Sequence, residues 1–451
     1  MPDEVDQVLA VVADWLEPGD EERAALASAV AHLLDRVEAA IDELGVDAEV
    51  IHVGSTARDT WMRGERDIDI FVRFPVDIGR ERLASSGLDI GRAVLADGRA
   101  HYAEHPYISG SHEGFDVDIV PCFDVADASE ARSAVDRTPF HNAYVAARLT
   151  DELAREVRLA KAFTSAIGIY GSNLRTRGFG GYLLELLVLE YGSFRALLEA
   201  AADWQPPVEL DPEGHGQGGF DDDLVVIDPT DPDRNVAAVV TTTSRARLQH
   251  HARAFLADPT TAAFEPTDPE RLSSDDFDAA LEARGTTALA LVFDRPDLID
   301  DQLFPQLRKT HEGIVDGLDR HGFDVLRSTH LASQDSLAIL VECEVDRRPH
   351  VERHAGPPVH LREHAERFLD AYVEADVYGP FIDDGRYAIE RERAFTTPRE
   401  YLESDALLDV RLGDHLEPVL EAGYDVYAGD ELVALLDDFQ AGLAAYVDPS
   451  P

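Results

Sequence analysis

Two carboxylates, Asp67 and Asp69, stand two residues apart in the stretch GSTARDTWMRGERDIDIF (residues 54–71), and each is followed by an isoleucine. Side chains at i and i+2 of a β-strand leave the same face, so the two acids share one side while Ile68 and Ile70 enter a core. Like charges that close repel unless a cation lies between them, and clustered carboxylate oxygens suit Mg2+ or Mn2+. The alternation alone fits a half-buried edge strand with a polar outer face better than it fits a metal site. Three further features reverse that balance. Gly54-Ser55 lies just upstream, where backbone N–H groups and a hydroxyl can hold phosphates. Arg58 follows three residues later, and a second stretch, FDVDIVPC, brings a further carboxylate, Asp118, from far along the chain. Phosphate holders, two divalent ions and three carboxylates are the parts for in-line nucleotidyl transfer.

Composition bounds the setting. At 451 residues the chain exceeds one ordinary core, and about three domains are expected. No run reaches the roughly 18 consecutive apolar residues of a membrane helix. The acidic start, MPDEVDQVLA, has no basic n-region or signal core, so a cytoplasmic protein is expected. Two cysteines are too few for a disulfide framework or a Cys-rich zinc site. Acids outnumber bases 89 to 40, for a formal net charge of −49, and they are spread over the whole length. Lys161 and Lys309 are the only lysines, the other basic residues being arginine. Such a surface stays hydrated in molar salt, where the Debye length is about 3 Å, and indicates a halophile's cytosol. In that medium both repulsion from phosphate and counterion-driven attraction to it are weakened, so net charge does not decide whether a nucleic acid is a partner.

The elements that must hold the acids are legible from periodicity. Residues 20–44 place Leu26, Val30, Leu33, Leu34, Val37 and Ile41 on one helical stripe, which Gly45 ends. AEVIHVGS reads as a short strand, 67–74 as the alternating strand closed by Pro75, and 78–96 as a helix. HPYIS and FDVDIVPCF read as two strands joined by a polar turn, completing a small α/β domain on a mixed sheet. From Thr150 the chain turns helical, in DELAREVRLAKAFTSAIG and in GGYLLELLVLEYGSFRALLEAA, which is read as one helical stretch. The strand DLVVID and a helix through 244–256 follow. TTALALVF, a helix in 299–321, FDVLRSTHL and SLAILVECEV form a β-α-β-β run, half of a ferredoxin-like or RNA-recognition-type fold. RHAGPPV reads as a structured turn.

Gly54-Ser55, Asp67-x-Asp69 and the later Asp118 resemble the minimal signature of the polymerase β-like nucleotidyltransferases. The fuller text narrows the resemblance. GSTARDTWMRGERDIDIFVRFP, YAEHPY, VDIVPC, TPFHN, VRLAKAF, IYGSNLRTRGFGGYLLELL, DPTDPDRNVAA and RHAGPPV resemble, in the expected order, the archaeal class I CCA-adding enzymes, tRNA nucleotidyltransferases, of a haloarchaeon-like source. The resemblance runs from about residue 50 into the C-terminal third, and Thr56 and Met62 stand at positions that the family varies. It implies an α+β multidomain fold. A polymerase β-like nucleotidyltransferase head would span 1–145, a mainly helical central neck 146–257, and a ferredoxin/RRM-like C-terminal body with a tail 258–451.

The activity implied is template-independent addition and repair of the 3′-terminal CCA of tRNA from CTP and ATP. By the same resemblance Asp67 and Asp69 bind two Mg2+ ions, with Mn2+ as the alternative, and Asp118 completes one site and helps to activate the attacking 3′-OH. Ser55 and Arg58 would hold the triphosphate, while His141, Lys161 and Tyr170 complete the nucleotide site. Arg234 would read the base, the ordinary alternative being an arginine that pins a loop through Asp231 or Asp233. The implied partners are tRNA, through its acceptor arm and T stem, with ATP and CTP; no membrane is implied, and a homodimer is compatible. The ordinary alternatives are a cap or core residue for His141, core for Tyr170, and solvent exposure for Arg175, Arg177 and Lys309. Lys161 is a retained lysine in a chain that has discarded nearly all others, which favours a phosphate contact. Asp116 reads as a surface carboxylate, and Glu104 and His105 as residues that flank the site or lie outside it. Two other readings share the carboxylates or lack the chemistry: another nucleotidyltransferase, such as a poly(A) polymerase or second-messenger synthase, and a non-catalytic RNA-binding protein.

Overall fold

The computed structural model describes residues 3–102, 105–216, 219–266 and 271–451, and the chain divides after Thr267 into two units. The first unit opens with helices α1 (Glu4–Leu16) and α2 (Asp20–Leu44). Asp3 caps α1 by accepting from Asp6 N, and α2 stops at Gly45, whose φ of 62° is left-handed. Then come β1 (Glu49–Val53), a single turn α3 (Gly54–Ala57), β2 (Asp67–Pro75), α4 (Arg80–Val94), β3 (Arg99–His101), β4 (Tyr107–His112) and β5 (Phe115–Asp124). The strands form one mixed sheet in the order β1-β2-β5-β4-β3, with β2 and β5 parallel and the other pairs antiparallel. Sequence periodicity misses β3, which is three residues long.

Alternation decides what each face of this sheet carries. Ile68, Ile70, Val72, Val117 and Ile119 turn to one side and pack with Leu33 and Val37 of α2 and Leu83 and Ile90 of α4. On the other side lie Phe71, Val120 and Cys122, a small apolar cluster with Val53, and before it the acids. The isoleucines between the acids therefore hold the strand down, and burial of each is worth about 1.5–3 kcal/mol.

The rest of the first unit is mainly helical: α5 (Thr138–Ala146), α6 (Asp151–Ala166), α7 (Gly181–Tyr191), α8 (Phe194–Ala202) and α9 (Thr242–Ala257). A sheet of β6 (Val208–Leu210), β7 (Leu224–Asp228) and β8 (Asp231–Asn235) precedes α9. Phe163 of α6 meets Phe194, Phe255 and Phe264 edge-on at 5.5–5.9 Å, and Val5, Leu9 and Val12 of α1 join the same core. The stretch read as one helix over 180–202 is two. Gly192 takes φ 80°, and Ser193 caps α8 through Ala196 N, so local capping overrides a continuous apolar pattern.

The second unit begins with α10 (Ser274–Arg284), followed by β9 (Thr287–Asp294), α11 (Asp300–Arg320), β10 (Val325–Ala332) and β11 (Ser336–Cys343), the predicted β-α-β-β run. An inserted sheet, ordered β12-β14-β13, is built from β12 (Val351–Pro358), β13 (Tyr378–Asp383) and β14 (Arg386–Glu392), with α12 (Arg362–Tyr372) beside it. After α13 (Pro398–Leu402) and α14 (Glu417–Ala422), β15 (Asp425–Ala428) pairs with β9, giving the antiparallel order β10-β11-β9-β15 of a ferredoxin-like sheet, and α15 (Leu436–Val447) ends the chain. RHAGPPV is a correction: all but its last residue lie in strand β12, and a turn begins only at Val359. Its register shifts between Ala355 and Pro358, and an edge strand with a bulge tolerates prolines that cannot donate to a ladder. No helix among the described residues is long and apolar enough to cross a membrane.

Candidate active site

The turn after β1 is built around one close approach. Gly54 takes φ +83°, and a Cβ there would stand 2.1 Å from Asp69 Oδ2, so the backbone of the Gly-Ser turn rests against the carboxylate. Thr60 N and Arg58 N return to the Ser55 carbonyl at 3.0 and 3.3 Å and close the turn. Ser55 and the acids are thus fixed relative to one another by backbone contact.

The parallel register of β2 and β5 sets Asp69 opposite Asp118 and Asp67 opposite Asp116. All four leave the same face. Burial, together with the charges of Asp118 and Asp67, pushes Asp69 up to about 6 against the pull of Arg58. Burial raises Asp118 too, opposed by the hydroxyl of Ser109, which donates to Asp118 Oδ1. Asp67 is raised by burial and by the charge of Asp116. The exposed Asp116 is the surface carboxylate expected from sequence. Crowded, partly desolvated carboxylates with excess negative charge are an all-oxygen donor set that fits hard divalent cations.

The basic groups are anchored by a residue that sequence reading missed. Glu185 of α7 is fully buried and accepts from Arg58 Nε at 3.1 Å and from the Thr60 hydroxyl at 2.7 Å, with Arg58 Nη2 2.9 Å from its second oxygen. Arg58 Nη1 donates to Asn142 Oδ1 at 2.9 Å, and the buried Lys161 donates to the Thr60 carbonyl at 2.8 Å. Burial lowers the pKa of Lys161 while Glu185 and Glu65 hold its charge. Tyr170 and Lys161 both border Gly181, where a Cβ would sit 3.4 Å from the Tyr170 hydroxyl and 3.7 Å from Lys161 Cε. Burial raises the Tyr170 phenol above its usual range. An acid inside the apolar run LLELLVL was the available signal for Glu185.

A second buried carboxylate, Asp228 at the end of β7, gathers the remaining pair. His141 Nε2 and Arg234 Nη1 both donate to Asp228 Oδ2, at 2.9 and 2.6 Å, and His141 stacks on Tyr182 at 4.0 Å. Burial lowers the His141 pKa against the opposing pull of Asp228. Arg234 does not pair with Asp231, which takes Arg137 Nε at 2.8 Å instead. Arg234 lines an open hollow of about 600 Å³ with Phe220, Ser172 and Arg137.

Other candidates lie elsewhere. Arg177 serves through its backbone, its carbonyl receiving Thr241 N and the Ser244 hydroxyl, and Arg175 is exposed on the same loop. His105 is buried at the far end of β5, against Phe123 and 3.7 Å from Asp136, and Glu104 lies outside the described residues. Lys309, in the second unit, pairs with Asp414 at 2.7 Å. His32, His112 and Glu113 come together at the β4–β5 turn. Arg36 Nη1 lies 3.5 Å from His112 Nδ1 in the same cluster.

The chain has matches along its whole length. Residues 34–141 match the nucleotidyltransferase domain family, 155–265 the second domain of tRNA nucleotidyltransferases, and 284–429 the C-terminal domain of CCA-adding enzymes. The CCA-adding enzymes of Haloarcula marismortui and Halorubrum lacusprofundi are each 53% identical to it, over 466 and 462 residues and all of both chains. That of Methanosarcina barkeri is 38% identical over 442 residues, 97% of each chain.

Two outcomes follow from this geometry. Gly54→Ala forces Asp69 aside and should cost roughly 100-fold in turnover, as misplacement by about an ångström does; near-normal turnover would show that the contact is dispensable. Asp69 is the reverse of a usual paired carboxylate. Its folded-state pKa is raised, so it penalises the metal-free fold above about 6, and the penalty fades as the pH falls toward the unfolded value. Asp69→Asn should therefore stabilise the metal-free protein at pH 7.5 by up to about 3 kcal/mol before salt screening, with the gain shrinking as pH falls through 6. Melting in chelator and molar KCl at stepped pH measures it, and no gain at pH 7.5 would remove the charge strain from the account.

Proposed function

We propose a division of labour for a chain that belongs to the CCA-adding enzymes, the tRNA nucleotidyltransferases that build and repair the 3′-terminal CCA from CTP and ATP without a nucleic-acid template. Its haloarchaeal relatives agree with the acid-coated, lysine-poor composition. The observation that carries the assignment is the shared face of Asp67, Asp69 and Asp118, set against the Gly54-Ser55 turn.

Asp67 and Asp69 hold two divalent ions, Mg2+ in the first place and Mn2+ as the alternative, and Asp118 completes one of the two sites. When bound, the ions lower the pKa of the attacking 3′-OH and offset charge on the leaving pyrophosphate. Asp118, held by the Ser109 hydroxyl, keeps one oxygen in a fixed direction toward the incoming 3′-OH. The Ser55 turn cradles the triphosphate. Arg58 and Lys161 add fixed positive charge beside it, clamped by Glu185 and the Thr60 carbonyl, and Tyr170 borders Gly181 as Lys161 does. His141 borders the nucleotide from α5. The head to residue 145 carries the metals and the neck to 257 completes the nucleotide site, while the body and tail (258–451) grip the acceptor arm and T stem of tRNA in the cytoplasm.

Base choice follows from polarity. C and A both present an exocyclic amino donor beside a ring-nitrogen acceptor, whereas U and G present the reverse. A fixed donor beside a fixed acceptor leaves buried groups unpaired with U or G, a cost of about 1–3 kcal/mol per group. Arg234 supplies the donor, and its place on the wall of an open hollow supports that role.

Asp69→Ala and Asp118→Ala should each abolish C and A addition together while tRNA binding persists, since the acids serve the chemistry and not the docking of tRNA. Extension of CCA-less tRNA in multimolar KCl, with gel-shift binding alongside, decides this; near-wild-type turnover in either variant would refute the metal assignment. Arg234→Ala should lower C and A incorporation and relax refusal of U with Mg2+ dependence unchanged. Incorporation of all four nucleotides measures it, and unaltered selectivity would reduce Arg234 to a structural residue.

A further inference from the structure

Asp228 is buried completely, and its two oxygens do different work. Oδ1 is tied to the protein frame: it accepts from Thr230 N at 2.9 Å, from the Thr230 hydroxyl at 2.8 Å and from the Tyr182 hydroxyl at 3.2 Å. Oδ2 faces two residues of the nucleotide site, His141 Nε2 at 2.9 Å and Arg234 Nη1 at 2.6 Å. A carboxylate anchored on one oxygen and shared on the other fixes two side chains that start 93 residues apart in sequence. It also fixes the imidazole proton. An ionised carboxylate only accepts, so His141 carries its hydrogen on Nε2 and keeps Nδ1 as an acceptor. Arg234, by contrast, has donors only. One buried anion therefore holds a donor side chain and an acceptor side chain next to each other.

We propose that Asp228 is the positioning residue of base selection: it orients Arg234 for the base edge and locks the tautomer of His141. The inference rests on the reading of Arg234 as the donor that recognises the base. Tyr182, stacked on His141 with its hydroxyl on the same carboxylate, keeps the imidazole plane fixed. Asp231, one of the alternative partners for Arg234, is engaged with Arg137 instead. Asparagine at 228 is nearly the same shape but turns one oxygen into an N–H donor. If that N–H replaces Oδ2 it meets Arg234 donor to donor, and His141 must move its proton to Nδ1 to remain bonded.

The test is selectivity, which a purely structural carboxylate would not move. Asp228→Asn, Arg234→Ala and the double variant are compared with the wild-type protein for C, A, U and G incorporation on CCA-less tRNA in multimolar KCl, with folding checked by circular dichroism. Asp228→Asn should lower the preference for C and A over U by roughly tenfold or more, and the double variant should be no less selective than Arg234→Ala alone, because the two act as a unit. A folded Asp228→Asn with wild-type selectivity, alongside an unselective Arg234→Ala, overturns the inference and leaves the Arg234 reading intact. Wild-type selectivity in Arg234→Ala overturns both. If Asp228→Asn does not fold, Asp228→Glu, which keeps the charge but moves it, must show the same loss of preference, and wild-type selectivity in that variant overturns the inference.

Discussion

Repulsion between carboxylates is the constraint on which the rest depends. Asp67, Asp69, Asp116 and Asp118 leave one face of two adjacent parallel strands, and burial raises three of them above the usual carboxylate range. The face persists because the opposite side of the same strands is wholly apolar: Ile68, Ile70, Val117 and Ile119 are buried against α2 and α4. Hydrophobic burial on one side holds in place a charge arrangement that would otherwise disperse, and its all-oxygen donors suit hard divalent cations. Gly54 belongs to the same economy of space, since any side chain there would occupy the volume of the Asp69 carboxylate.

Away from the acids the first unit uses single buried anions to manage cations. Glu185 takes Arg58 and the Thr60 hydroxyl, and Asp228 takes His141 and Arg234. Removing one partner from such a pair strands a buried charge, which costs far more than the pair contributes net. Each anion therefore joins segments far apart in sequence: Glu185 reaches from α7 to the turn before β2, and Asp228 binds α5 to β8. Arg58, His141 and Arg234 are positioned by these joints and not by their own backbones.

The second unit shows how the ferredoxin-like frame accommodates an insertion. β15 completes the sheet from 81 residues beyond β11, counted from the end of one strand to the start of the other, and the β12-β14-β13 sheet with α12 occupies the interval. Glu342 of β11 is buried and accepts from Arg284, Thr286 and Tyr446, so it ties α10 at the start of the unit to α15 at its end. The surface meanwhile carries its acids in pairs with arginine, such as Arg399 with Glu403 and Glu431, contacts worth little singly in molar salt.

The chain by itself determined the acid-bearing strands β2 and β5. Alternation of period two placed Asp67, Asp69 and Asp118 outward, Gly54-Ser55 marked the turn, and the β-α-β-β pattern of the second unit followed from apolar runs and turn residues. These are local signals, carried by residues a few places apart. RHAGPPV misled because prolines argue against strands, and only pairing with β14 reveals an edge where they are tolerated. The split between α7 and α8 likewise depended on Gly192 adopting a left-handed backbone. Glu185 left one local signal, an acid inside an apolar run, but nothing local marked its partners, and nothing local marked Asp228 or Tyr182 as parts of the site. Most of their partners are distant, Asp228 lying 87 residues from His141 and Glu185 127 from Arg58, which sequence spacing does not encode. The sequence determined which groups can do chemistry; the tertiary structure decided which buried anions hold them still, because desolvated charge is stable only where the folded chain brings its counter-charge.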